Sequence, residues 1–217
     1  MATIKKTHSR IYDIVYETLN SVTHGLGYTA AVVGFVLLVV HAVTLGRDAL
    51  TLTAISIYMG SVTLFLLAST LFHSLVFTKA AKLFQFFDHA GIYLVILGTY
   101  TPYMWLFVGG WIGWTIWSAI LLMTIAGFVY DLFFLGRWPW VAVVIYLVMG
   151  WLVLLALPVL LHTLAPVPFW LLVGGGITYS LGTLFYLIKG IPMAHVYWHL
   201  FVVAGATLMY ISIWQTL

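Results

Sequence analysis

The sequence predicts an all-α integral membrane protein, a seven-transmembrane helix bundle with its N-terminus in the cytoplasm and its C-terminus outside. Three observations carry that prediction. The first is composition: 64% of the 217 residues are apolar and 6% are charged, where a soluble domain carries about 25% charged residues. Such a chain cannot cover its own surface in water. The second is segmentation into apolar runs, each close to the ~20 residues that a spanning helix needs. The third is charge placement. With seven spans, Lys5, Lys6, Arg10, Lys79, Lys82, Arg137 and Lys189 fall on the N-terminal side of the membrane and Arg47 alone on the other. The basic side is the cytoplasmic one, and an odd number of spans is required for the basic residues to segregate this way.

Residues 1–10 read as a short basic tail. No short apolar core with a small-residue cleavage site follows it, so the N-terminus is expected to be retained rather than removed as a signal peptide. In 11–19, Ile11, Ile14, Val15, Thr18 and Leu19 recur at helical spacing opposite Asp13 and Glu17. That pattern predicts a short amphipathic helix lying in the membrane interface. Span one, 21–45, ends at the Gly46-Arg47-Asp48 turn, and span two, 51–77, stops before Lys79 and Lys82. Span three, 83–108, ends at Gly109-Gly110; span four, 111–135, is closed by Gly136-Arg137. Span five, 138–161, is followed by His162 and the Pro166/Pro168 turn. Span six, 169–188, meets Lys189-Gly190, and span seven, 191–217, reaches the C-terminus. Trp111, Trp114, Trp138, Trp140 and Trp170 sit near span ends, where an aromatic belt belongs. The connections are short, so residues 1–217 are expected to form one membrane domain.

Cysteine is absent, which excludes a disulfide framework and thiolate metal sites. The net charge of +3 is accounted for by the basic residues at one membrane face and gives no sign of nucleic-acid binding. Any metal here is left to histidine, carboxylate and hydroxyl groups.

The polar residues converge on one level. His195 and His199 are four residues apart at the start of span seven, so they share a helix face about one turn from each other. Two imidazoles at that spacing can close on one metal ion, as the histidines of H-E-x-x-H do. Span two descends to the cytoplasmic side, which places Ser69 and His73 near its inner end. Span three begins there, with Asp88 and His89 in its first two turns. Ionisable groups inside a bilayer are costly and face a cavity or a partner, so topology alone brings Ser69, His73, Asp88, His195 and His199 together in the inner leaflet.

The chemistry of that set suits zinc. His73, His195 and His199 would fill three positions of a tetrahedron and leave the fourth for water, whose pKa zinc lowers to roughly 7. Asp88 is placed to take the water's proton and hand it to a leaving group, and Ser69 to donate a hydrogen bond to a developing oxyanion. The plainer alternative pairs Asp88 with His89 or Lys82 and has Ser69 bond back to its own helix. For His89 alone the plain reading is preferred, because it lies about 100° around the helix from Asp88. Glu17, Asn20 and His24, spaced i, i+3, i+7 at the start of span one, form a second polar face. They would support the metal ligands, contact substrate, or simply face the interface, the last suiting His24 best. His8, His41 and His162 read as ordinary interfacial residues. All-histidine sites suit zinc, copper, iron and nickel alike.

The run Glu17-Thr18-Leu19-Asn20-Ser21-Val22-Thr23-His24-Gly25 resembles the opening signature of the bacterial hemolysin III family. So do Ser69-Thr70-Leu71-Phe72-His73-Ser74, Asp88-His89-Ala90-Gly91-Ile92-Tyr93, Gly98-Thr99-Tyr100-Thr101-Pro102 and His195-Val196-Tyr197-Trp198-His199. These proteins are the bacterial relatives of the progestin and adiponectin receptor family. The resemblance implies a multi-pass protein of the bacterial inner membrane with seven helices and an intramembrane zinc near the cytoplasmic face. It implies His73, His195 and His199 as zinc ligands, Asp88 as the water-holding carboxylate and Ser69 as its neighbour. The wider superfamily includes alkaline ceramidases, which makes a lipid amide or ester the expected substrate class. Three functions are therefore expected, in order: a zinc-dependent lipid hydrolase, a membrane-state sensor with a structural zinc, and a hemolysin-type permeabiliser. The last wants a polar stripe across the whole bilayer, and the polar residues here gather at one end.

Overall fold

A computed structural model describes residues 9–188 and 190–217. Lys5, Lys6, His8 and Lys189, which entered the reading of the tail and the charge count, lie outside the described residues. Among the described residues, seven helices are long and apolar enough to cross a membrane: α1 (Arg10–Thr44), α2 (Ala49–Leu75), α3 (Ala81–Val108), α4 (Gly110–Phe134), α5 (Pro139–Thr163), α6 (Pro166–Leu187) and α7 (Ala194–Thr216). No strand occurs among the described residues. The all-α, seven-helix class expected from composition and segmentation is the class observed.

Local chemistry sets the helix ends. The Ser9 hydroxyl accepts from the Tyr12 amide at 3.2 Å and caps α1. Asp48 caps α2, accepting from the Thr51 amide at 2.9 Å and from the Thr51 hydroxyl at 2.6 Å. Those two hydrogen bonds favour the carboxylate and hold the Asp48 pKa below its usual value. Proline opens α5 and α6, where its fixed φ suits the first turn and its missing N–H is not needed. Inside α5, Leu152–Ala156 tightens into 3₁₀ geometry just before Pro158, which cannot donate back and crowds the carbonyl four residues earlier. In α3, Pro102 is followed by a π-helical turn, Tyr103–Val108.

Two ends differ from the sequence reading. The stretch 11–19 is not a separate interfacial helix. It is the beginning of α1, which runs unbroken for 35 residues because no proline or tight turn interrupts it. At 1.5 Å per residue α1 is about 52 Å long, well beyond the ~30 Å hydrocarbon core. Helix α7 begins at Ala194, not at 191, because Met193 has φ 57° and stands in the left-handed region, which a right-handed helix cannot continue through.

Helix α2 packs between α1 and α3, and α7 packs on α6 and α1. Small residues allow the close approaches, as is usual between helices in lipid: Gly98 of α3 lies directly on Ser61 of α2, and Gly205 of α7 on the Tyr179 ring of α6. Tyrosines tie the layers together. Tyr103 donates to the Ser212 hydroxyl at 2.8 Å, which donates to the Pro168 carbonyl at 2.7 Å, linking α3, α7 and α6. Tyr210 donates to the Gly34 carbonyl at 3.1 Å and Tyr100 to the Met149 carbonyl at 2.7 Å. Residues such as Val36, Leu122, Phe133 and Leu155 point outward and are exposed on the apolar flank. This packing brings the first turns of α1, the last turns of α2 and the first turns of α7 to the same end of the bundle.

Candidate metal centre

His73 comes from the last turn of α2, and His195 and His199 from the first turns of α7. One ring nitrogen from each lies within 4.8 Å of the other two. The ring centroids are 4.6 Å apart for His195 and His199, 4.8 Å for His73 and His199, and 5.2 Å for His73 and His195. The i, i+4 spacing in α7 does what it predicted, and the third ring arrives from a helix more than a hundred residues away.

Helix α1 orients two of the three. Glu17 Oε2 stands 2.6 Å from His73 Nδ1, so the carboxylate accepts the Nδ1 proton and leaves Nε2 with its lone pair outward. His73 Nε2 is buried and has no hydrogen-bond partner. A buried polar nitrogen left unpaired costs about 1–3 kcal/mol, and an electrophile in the histidine cluster removes that cost. His199 Nδ1 lies 3.1 Å from the Asn20 backbone carbonyl and 3.3 Å from the Thr23 hydroxyl. Donation to Asn20 again leaves Nε2 as the lone-pair nitrogen. A histidine that gives one N–H to a carboxylate or carbonyl and its other nitrogen to a metal is the usual outer-shell arrangement of a metal site. Three converging imidazoles, one unpaired buried nitrogen and two fixed tautomers together fit a divalent ion such as zinc.

The model of haemolysin-III-related proteins matches residues 12–210 of the chain. The chain belongs to the haemolysin-III-related family. It is 38% identical over 197 residues to Hemolysin-3 of Bacillus cereus, covering 91% of this chain and 90% of that one. It is 36% identical over 203 residues to a Hemolysin-3 homolog of Bacillus subtilis, covering 94% and 95%. The human monocyte to macrophage differentiation factor is 32% identical over 161 residues, covering 70% of this chain and 65% of that one. No solved structure matches the chain.

Around the three histidines of this haemolysin-III-related chain, the other expected residues take up unequal positions. Ser69 and His24 pair with each other, Ser69 Oγ to His24 Nδ1 at 2.7 Å, and both are fully buried. His24 is no interfacial residue: its ring stacks on His199 at 3.6 Å, nearly parallel. Ser69 therefore acts first on His24, and its hydroxyl proton is available to another acceptor only when His24 Nδ1 is the donor. Asn20 supplies its backbone to His199, and its fully buried carboxamide lies beside Tyr16. Asp88 is buried but makes no hydrogen bond to the three histidines; its carboxylate lies 3.7 Å from His89 Nδ1. His89 donates that Nδ1 proton to the Gln85 carbonyl at 2.9 Å, one turn back on its own helix.

Sequence reasoning passed over three groups. Asp131 of α4 is 2% exposed with an unpaired Oδ2; a carboxylate inside an apolar run was the available signal. Thr23 and Tyr186, whose ring lies 5.9 Å from His195, carried no signal, since hydroxyl-bearing residues are common in membrane helices. An apolar cavity of about 150 Å³ is lined in part by Phe65, Tyr146 and Trp198, with no histidine among its described lining residues. Phe65 is edge-on to His24 at 5.5 Å, and Trp198 precedes His199.

Proposed function

We propose that the protein is a zinc-dependent hydrolase of a lipid amide or ester, working near the cytoplasmic face of a bacterial inner membrane. The observation that carries the reading is the His73 nitrogen: buried, unpaired, and held by Glu17 in the tautomer that ligates. His73, His195 and His199 would hold the ion, which in such a site polarises a carbonyl and makes water more acidic. Glu17 keeps His73 from rotating away, and the Asn20 carbonyl does the same for His199. Asp88 serves as the proton carrier, taking a proton from the attacking water and passing it to the leaving amine or alcohol. A substrate in reach of the histidines supplies the contact that Asp88 lacks with them at rest. The apolar cavity has the size that accepts a small ring or a segment of alkyl chain, and its lining includes Phe65, which touches His24, and Trp198, next to His199 in the chain. That suits a substrate whose acyl chain enters from the lipid and whose carbonyl stops at the polar end. The N-terminus is assigned to the cytoplasm by the bias of Lys and Arg.

A second reading keeps the zinc and removes the chemistry. The distance of Asp88 from hydrogen-bonding range of the histidines, and the engagement of Ser69 by His24, favour a structural ion joining α2 to α7 in a sensor of membrane state. The relatives' hemolysin name suggests permeabilisation, but the polar groups gather at one end of the bundle and offer no stripe for conduction.

The test is metal content of the detergent-purified protein by mass spectrometry, beside the double variant His195→Ala/His199→Ala. Near-stoichiometric zinc in the wild type, lost in the double variant, supports both zinc readings; no metal in a well-folded wild type sinks both. A lipid-amide and lipid-ester screen with Asp88→Ala then separates them. A hydrolase loses turnover and keeps its zinc, whereas a structural site shows no turnover to lose.

A further inference from the structure

An open pocket of about 360 Å³ lies at the same end of the bundle, between the first turns of α1 and the approach to α7. Its walls include Tyr12, Asp13, Tyr16, Glu17, Phe77 and Met193, and among the described residues its only charged lining groups are Asp13 and Glu17. Asp13 and Glu17 are one turn apart on α1, a like-charge spacing that a helix tolerates at some cost. The inner wall of the pocket reaches the histidine cluster by two routes. Glu17 is bonded to His73, and Ala194 of the lining is joined directly to His195. Behind Glu17 stands His73, about 5% exposed, with Nε2 buried and without a hydrogen-bond partner.

We infer that this pocket is the entry vestibule of the metal ion, with Asp13 as the outer carboxylate that captures a hydrated divalent cation and Glu17 as the inner one beside His73. The inference rests on the three-histidine reading and assigns Asp13 a role in loading, not in holding. The other helices present a largely apolar flank, through which a hydrated cation does not pass. The pocket is where an open cavity, two carboxylates and the first turn of α7 meet. Asp13 is partly exposed and makes no side-chain hydrogen bond among the described residues, whereas Glu17 is committed to His73. The two carboxylates therefore divide the work: the free one draws the ion in and the bonded one leads to the nitrogen that takes it.

The experiment uses the full chain in detergent, stripped with a chelator and mixed with zinc at low ionic strength. Uptake is followed by timed quenching and mass spectrometry. Asp13→Asn is expected to reach the wild-type zinc content but to load slower by roughly threefold or more, as one lost charge near the path implies. Asp13→Lys should be slower still, Asp13→Glu should load like wild type, and the differences should vanish at high salt. Wild-type loading rates in both Asp13→Asn and Asp13→Lys overturn the inference and leave the three-histidine site standing. A reduced final zinc content in Asp13→Asn also overturns it, since Asp13 would then be holding the ion. A wild type that takes up no zinc overturns the site reading and this one together.

Discussion

Glu17 and Asn20 both touch members of the three-histidine cluster, but through different atoms, and that difference is measurable. Glu17 acts through its side chain, so Glu17→Gln should weaken metal binding by roughly 10–100-fold with the fold retained, as read by competition against a chelator of known affinity. Asn20 acts on His199 through its backbone carbonyl, which survives substitution. Asn20→Ala should therefore change metal affinity much less than Glu17→Gln; an equal loss would mean that the carboxamide itself supports the ion. The two residues were legible in the sequence as one polar face of a helix, with roles left open among support, substrate contact and interface. Their separate roles were not legible, because helical periodicity places a side chain on a face and says nothing about which of its atoms finds a partner. His24 shows the same limit more sharply. It was read as interfacial from its position near a span end, yet a second helix and the His199 ring enclose it completely.

At the scale of the element, helix ends are the informative places. Asp48 caps α2 as a carboxylate, and its folded pKa lies below the ordinary 3.8. Its contribution to stability is therefore present above that value and is lost as the pH falls through the lower folded value. Asp48→Ala should lower the thermal midpoint at neutral pH, and the gap from wild type should narrow as the pH drops below the ordinary aspartate value. A constant gap would mean that charge is irrelevant to the cap. Met193 sets the start of α7 from the left-handed region, which costs a non-glycine residue roughly 1–2 kcal/mol. Met193→Gly should then be neutral or stabilising by up to about 1 kcal/mol in thermal unfolding, and a clear destabilisation would show that the Met193 side chain matters more than its backbone. The left-handed turn has no sequence signal at a methionine, which is why span seven was read three residues too early. The opposite error occurred at α1, where the change from amphipathic to apolar pattern suggested a break that the backbone never makes.

Across the whole molecule, the centre depends on how α2 is seated, and Gly98, which allows its close approach to α3, touches none of the histidines. A Cβ on Gly98 would overlap the Ser61 side chain, with Ile57 backbone 3.3 Å behind it. Gly98→Val should therefore push α3 from α2 and destabilise the protein by about 1–3 kcal/mol. Because His73 rides on α2, metal affinity should fall as well, although Gly98 touches no ligand. Unchanged affinity in the presence of a lowered thermal midpoint would mean that the end of α2 is held by Glu17 independently of its middle.

The sequence by itself determined the membrane class, the number of helices and the set of histidines, because those follow from local composition, run length and the 3.6-residue repeat. It also placed His73, His195 and His199 at one end of the bundle, since alternate spans must run in opposite directions. Only the tertiary structure decided which groups meet there: Glu17 with His73, the Asn20 carbonyl with His199, and Ser69 with His24, while Asp88 is hydrogen-bonded to none of them. Those pairings depend on helix rotation and on approach distances of a few tenths of an ångström. Side-chain packing among all seven helices sets such distances, and no single stretch of the chain contains them.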